Sequence, residues 1–192
     1  MRHIRRMLRF GRVTLRVAAL GAAAAIAACS SAPRDAGDAG PDVFVPDPCK
    51  ASLEAGVTPT VLVGLGQLSF TAVTKDQMVN WELGPQGGHH VWVAVEQQGL
   101  RQRGTVTTID IDDLDAPTGT TRLLHSPLVY DYAPVGNEVC SLVGLRMQLD
   151  APGVPEMLST MVGHRMRITA TLVDTDGATG SASAEITVNG TF

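Results

Sequence analysis

Residues 81–95 read WELGPQGGHHVWVAV, which places both tryptophans and two of the five histidines around a Pro-Gln-Gly-Gly turn. Glycine tolerates positive φ, so the backbone there can turn sharply or approach a ligand closely. Neutral imidazole suits copper, zinc or nickel, and indole offers an apolar face with one N–H donor. Trp81, Gln86, His89, His90 and Trp92 are therefore the candidate ligand-binding residues. Against a metal stands the strand geometry, since consecutive residues point to opposite faces and His89 and His90 would not share one ion. A second ligand would have to come from His125, His164 or a carboxylate. No metal and no cofactor is expected, and the plainer reading is a tight hairpin entry with one core tryptophan and surface histidines.

Two acidic runs could hold a hard cation. Asp110, Asp112, Asp113 and Asp115 place four carboxylates within six residues, and oxygen-rich clusters suit calcium. A solvated strand end is expected instead, with Asp110 and Asp112 on the face opposite Ile109 and Ile111. Asp174-Thr175-Asp176-Gly177 opens like a calcium loop, yet Asp-Gly also makes a good hairpin turn, and the hairpin is the expectation. The chain contains no GxSxG, HExxH, phosphate-loop or dinucleotide-binding glycine motif, and no enzymatic activity is expected.

The elements that would position these residues have a period of two. Strand candidates run over 60–63, 67–73, 90–97, 106–111, 142–149, 165–173 and 183–189. In 90–97, Val91, Val93 and Val95 alternate with His90, Trp92 and Ala94; in 165–173, Met166, Ile168, Ala170 and Leu172 alternate with Arg165, Arg167, Thr169 and Thr171. Half-buried alternation belongs to antiparallel sheets with one solvated face. Turn-forming clusters at 84–88, 99–104, 115–119, 152–155 and 174–180 separate the runs. About seven strands broken in this way predict an all-β fold, an antiparallel β-sandwich. Only 155–163 could form a helical turn, and a loop is an equal alternative. The stretch MRITATLVDTDGATGSASAEITV, 166–188, resembles the last hairpin of bacterial immunoglobulin-like domains, where a Val-x-Asp strand turns through Asp-Gly into a strand of small residues. The resemblance implies an immunoglobulin-like sandwich. Antibody-type hallmarks are missing: no Tyr lies two residues before Cys140, and no Trp sits suitably between paired cysteines.

Ahead of the domain, Arg2, Arg5, Arg6, Arg9, Arg12 and Arg16 form a basic segment with no acidic residue, followed by an apolar run over 17–28. Twelve residues are too few to cross a bilayer as a helix, which takes about 20. A basic stretch, a short apolar stretch and small residues are the features of a cleaved export signal. Ile26-Ala27-Ala28-Cys29 resembles the lipobox of bacterial lipoproteins. That resemblance implies lipidation of the Cys29 thiol, cleavage before Cys29 and acylation of the new amino terminus. Two or more acyl chains hold a protein stably where one does not. Ser30, in place of the Asp that marks inner-membrane retention, implies the outer membrane.

The expected organisation is a signal peptide over 1–28, the lipidated Cys29 with a tether over 29–48, and the sandwich over 49–192. The tether is rich in Ala, Asp, Gly and Pro, and as a coil its 19 residues after Cys29 span roughly 25 Å. All 19 acidic residues but only nine of the 15 basic ones follow Cys29, so cleavage leaves nine against nineteen, a formal charge of −10. Such a chain is a poor partner for nucleic acid or anionic lipid headgroups. With Cys29 lipidated, Cys49 and Cys140 remain. In an oxidising compartment an even pair reads as a disulfide, the alternative being two buried thiols, and without a CxxC redox catalysis is not expected. Together these features predict a cell-envelope lipoprotein attached to the membrane through its lipid, acting as a binding or structural module for a protein or glycan partner. The alternative is a copper- or zinc-binding protein or metalloenzyme using the His89/His90 loop.

Overall fold

The computed structural model describes residues 46–50, 58–84, 88–150 and 160–191. The expected signal peptide, Cys29, most of the tether and Gln86 lie outside the described residues. Ten strands occur among the described residues: β1 (Thr60–Leu65), β2 (Thr71–Ala72), β3 (Met78–Leu83), β4 (His89–Gln98), β5 (Thr105–Asp113), β6 (Thr121–Tyr130), β7 (Ala133–Gly136), β8 (Val139–Gln148), β9 (Arg165–Val173) and β10 (Thr179–Thr191). Of the stretch 155–163, residues 160–161 are helical and lead into a turn.

The strands form two layers. One runs β2-β1-β4-β8-β7, and the other runs β3-β10-β9-β5-β6. Taking β1 and β3 as two halves of one first strand, the first layer has the order A-B-E-D and the second G-F-C-C′, the strand order of an immunoglobulin-like sandwich. The expected fold is the one observed, with two departures. More strands are present than the seven expected, and one pairing is parallel rather than antiparallel: β3 lies beside β10 with Met78 opposite Thr187 and Val79 opposite Val188. The parallel pair arises because β3 changes layers, starting beside β10 and ending beside β4, where Glu82 faces His90 and Leu83 faces His89.

Alternation builds the core as the sequence suggests. Val91, Val93 and Val95 of β4, with Leu145 and Met147 of β8, face Ile109 and Ile111 of β5, Ile168, Ala170 and Leu172 of β9, and Ile186 and Val188 of β10; all are buried. Each large aliphatic side chain so buried contributes about 1.5–3 kcal/mol before the entropy of ordering it. The strands that escaped the sequence pattern bury little. β6 is largely exposed and carries Pro127, whose missing N–H is harmless on an edge strand. β7 is exposed throughout.

A disulfide joins Cys49 to Cys140, with 5.5 Å between their Cα atoms and both residues fully buried. It does not link the two layers. Instead it fastens the lead-in to the domain onto β8. Around it, Asp47 accepts the N–H groups of Cys49 and Gln102, the Cys49 carbonyl accepts the Gly99 N–H, and Lys50 bridges Asp174 and Asp176 at 2.9 Å each.

Candidate functional site

The expected site divides along the faces of the β3–β4 hairpin. Trp81 points inward and is 2 % exposed, so it is a core residue. His89 is fixed by Asp150, which accepts the His89 N–H at 2.6 Å on one oxygen and lies 2.9 Å from the ring Nδ1 on the other. Gly88, at φ 79°, passes Gln148 so closely that a Cβ would lie 2.7 Å from its Nε2, which is why glycine stands at this entry. His90 and Trp92 share the outer face of β4. His90 is nevertheless 5 % exposed, which corrects the expectation of surface histidines. It is buried by its neighbours on that face, including Trp92, whose ring meets its imidazole edge to face at a centroid distance of 4.9 Å.

A cleft of 230 Å³ opens at His90 and Trp92 and is also lined by Leu65, Gln67, Asn80 and Glu82. Its origin is topological. Leu65 of β1 pairs with Val93, and the next strand residue on that side of β4 is Glu82 of β3, opposite His90. Between them the chain turns away at Gly66, which donates its N–H to the Trp92 carbonyl and accepts the Gly144 N–H, both at 3.0 Å. No strand residue therefore faces Val91 or Trp92 on that side, and the interrupted first strand leaves the cleft. The excursion that interrupts it corrects the expected strand over 67–73, of which only Thr71 and Ala72 pair. Phe70 returns over Gly64, where a Cβ would come within 2.5 Å of the ring.

The polar groups of the cleft have unequal partners. The Trp92 indole N–H donates to Glu82 Oε2 at 2.7 Å, while the Glu82 side chain remains 58 % exposed. Asn80 accepts from Asn189 at 3.0 Å. His90 Nε2 lies 3.7 Å from Glu82 Oε2, beyond hydrogen-bond range, and is buried without a hydrogen-bond partner. A buried polar atom in that state costs roughly 1–3 kcal/mol. Burial, and after it the Arg146 charge, pushes the His90 pKa below its ordinary 6.5 despite the opposing Glu82, so the ring is neutral at pH 7. Glu82 is the residue the sequence reading missed. The signal was the spacing of the Leu83–His89 pair across the Gly84–Gly88 sequence cluster, which sets Glu82 opposite His90.

The acidic runs are committed to internal pairs. Asp110 and Asp112 pair with Arg122, and Asp110 also with His125; the inward Asp113 pairs with His164 at 2.9 Å, and Asp115 with Arg165 at 2.7 Å. Asp174 caps its own turn through the N–H groups of Asp176 and Ala178, and Asp176 binds Lys50 and Arg101. Among the described residues no three His, Cys, Asp or Glu side chains converge as a metal cage. A larger open hollow of 580 Å³ lies at the lead-in, lined by Asp47, Arg101, Arg103 and Asp176. Because Asp176 is already neutralised there, the hollow belongs to the clasp around the lead-in, and the cleft at His90 is the better candidate site.

Asp115 offers a direct check on this pairing. Side-chain hydrogen bonds from Arg165, followed by the Arg165 backbone N–H, lower its pKa from 3.8 to about 2. Since the folded value is the lower one, the stabilising contribution is present above pH 3.8 and is lost as pH falls through about 2. A carboxyl-carbon NMR titration is expected to give a midpoint near 2 in the wild type, moving up towards the ordinary value in Arg165→Gln. An ordinary midpoint in the wild type would contradict the pairing.

No protein-family model and no curated protein matches the chain. Among solved structures it is similar to murine CRIg, at 10 % identity and a TM-score of 0.33, over 70 % of this chain and 98 % of that one. The fold assignment rests on the strand order above.

Proposed function

We propose that the protein is a lipid-anchored lipoprotein of the outer membrane whose immunoglobulin-like sandwich serves as a binding module at the cell envelope. The observation that carries this reading is Ile26-Ala27-Ala28-Cys29, placed directly after a basic, acid-free segment and a short apolar run. The far end of the tether supports it. Twenty residues after Cys29, Cys49 is bonded to Cys140 within β8, so tension on an anchor would reach the sheet through a covalent link. The cleft beside β4 supports the binding role, because its walls are strands and its polar groups converge on a small volume. A protein or glycan of the envelope is the partner class, and the acidic mature chain disfavours nucleic acid.

Replacing the lipidated thiol tests the anchor. The wild type is expected to enter the detergent phase on Triton phase separation of whole cells, and Cys29→Ser the aqueous phase. A Cys29→Ser protein that still partitions with detergent would overturn the proposal.

A further inference from the structure

We propose that His90 and Glu82 form a two-donor site for a divalent transition-metal ion, copper or zinc, in the cleft left beside β4 by the interrupted first strand. The inference concerns the same cleft as the proposed binding module, and gives its ligand a chemical class. Three observations converge on it. His90 lines the cleft and its Nε2 is buried without a hydrogen-bond partner, although nearly all buried polar atoms in folded proteins are satisfied. Its nearest acidic neighbour, Glu82 Oε2, lies 3.7 Å away, too far for a hydrogen bond. Zinc binds imidazole nitrogen and carboxylate oxygen at about 2.0–2.2 Å, so two donors on one tetrahedral ion stand roughly 3.3–3.5 Å apart. The exposed Glu82 side chain can move the remaining few tenths of an ångström. Lastly, Trp92 touches both donors: its N–H donates to Glu82 Oε2 at 2.7 Å, leaving that oxygen a further lone pair, and its ring packs edge to face with His90. Supporting contacts of this kind orient metal ligands and tune their basicity.

The groups acting on the site are Glu82, which favours a cation, and Arg146 on β8 opposite Trp92 and the neighbouring His89, which oppose one. No third His, Cys, Asp or Glu among the described residues joins the pair. The ion therefore keeps positions open for water or for a donor atom of a bound partner, as open metal sites do. His89 takes no part, since Asp150 occupies its ring.

The test is copper titration of the full chain in detergent, followed by tryptophan fluorescence, with CuCl₂ and ZnCl₂ as the probes. Copper is expected to quench the wild type saturably at one ion per chain, through Trp92, with zinc competing. Glu82→Gln, a change at an exposed position, is expected to raise the half-saturating copper concentration about tenfold or more. His90→Gln is expected to abolish the saturable phase, and His89→Gln to leave it unchanged. Trp92→Phe should retain bound copper in equilibrium dialysis while losing the quenching. Copper held elsewhere on the chain is common to wild type and variants and drops out of the comparison. Unchanged half-saturation in both Glu82→Gln and His90→Gln, or no saturable quenching in the wild type, would overturn the site. Such a result would leave the lipid anchor standing, because detergent partition reports on Cys29 alone.

Discussion

The double variant Cys49→Ala/Cys140→Ala is expected to be less stable than the wild type by about 4–5 kcal/mol. The bond joins residues 91 apart in sequence, and closing so long a loop removes much of the freedom of the unfolded chain. Both cysteines are fully buried, so the variant also leaves space in the clasp where Lys50, Asp174 and Asp176 meet the lead-in. Guanidinium unfolding of the two proteins measures the difference, and reduction of the wild type should reproduce most of it. A loss below about 1 kcal/mol would mean that the lead-in is held by its hydrogen bonds and ion pairs without the covalent link.

Trp81→Ala is expected to cost about 3–5 kcal/mol, whereas Trp92→Ala should cost no more than about 2. The two tryptophans bracket the same hairpin, and their chemistry is identical. Trp81 lies on the inward face at 2 % exposure, and its removal opens a cavity in the core. Trp92 stands at the half-buried outer face, where its loss releases the hydrogen bond to Glu82 and opens a cleft that water can already enter. Equal losses in denaturant unfolding would contradict the assignment of one tryptophan to the core and the other to the cleft.

The contrast between the tryptophans marks how far the fold could be read from the residues. Strands β4, β5, β8, β9 and β10 each have one face in the core, and their alternating valines, isoleucines and leucines advertise it. In β3 only Trp81 is fully buried, because the strand crosses between layers and presents no single face to the core. β6 and β7 lie at the sheet edges, where the chain needs no apolar period to pair. Half of the site was legible for a related reason. His90 and Trp92 stand out as polar and aromatic residues alternating with valines after a glycine pair. Glu82 does not, since an acidic residue near a turn is commonplace and its meaning depends on the register that sets it opposite His90. The cleft itself was not legible. It depends on the chain leaving β1 at Gly66, folding back to pair with β1 as β2, and resuming only at Met78 beside β10, yet Phe70-Thr71-Ala72 has the residue types of an uninterrupted strand. The acidic runs were visible as clusters, but the partners of the first come from β6 and from His164 and Arg165 at the start of β9, and those of the second from Lys50 and Arg101.

The central claim is that a lipid on Cys29 holds this sandwich at the envelope, and mass spectrometry of the amino-terminal peptide from membrane-purified protein tests it most directly. The expected peptide begins at Cys29 and carries a thiol-linked diacylglyceryl group and an acylated amino terminus. A peptide with an unmodified Cys29 thiol, whether or not residues 1–28 have been removed, would contradict it.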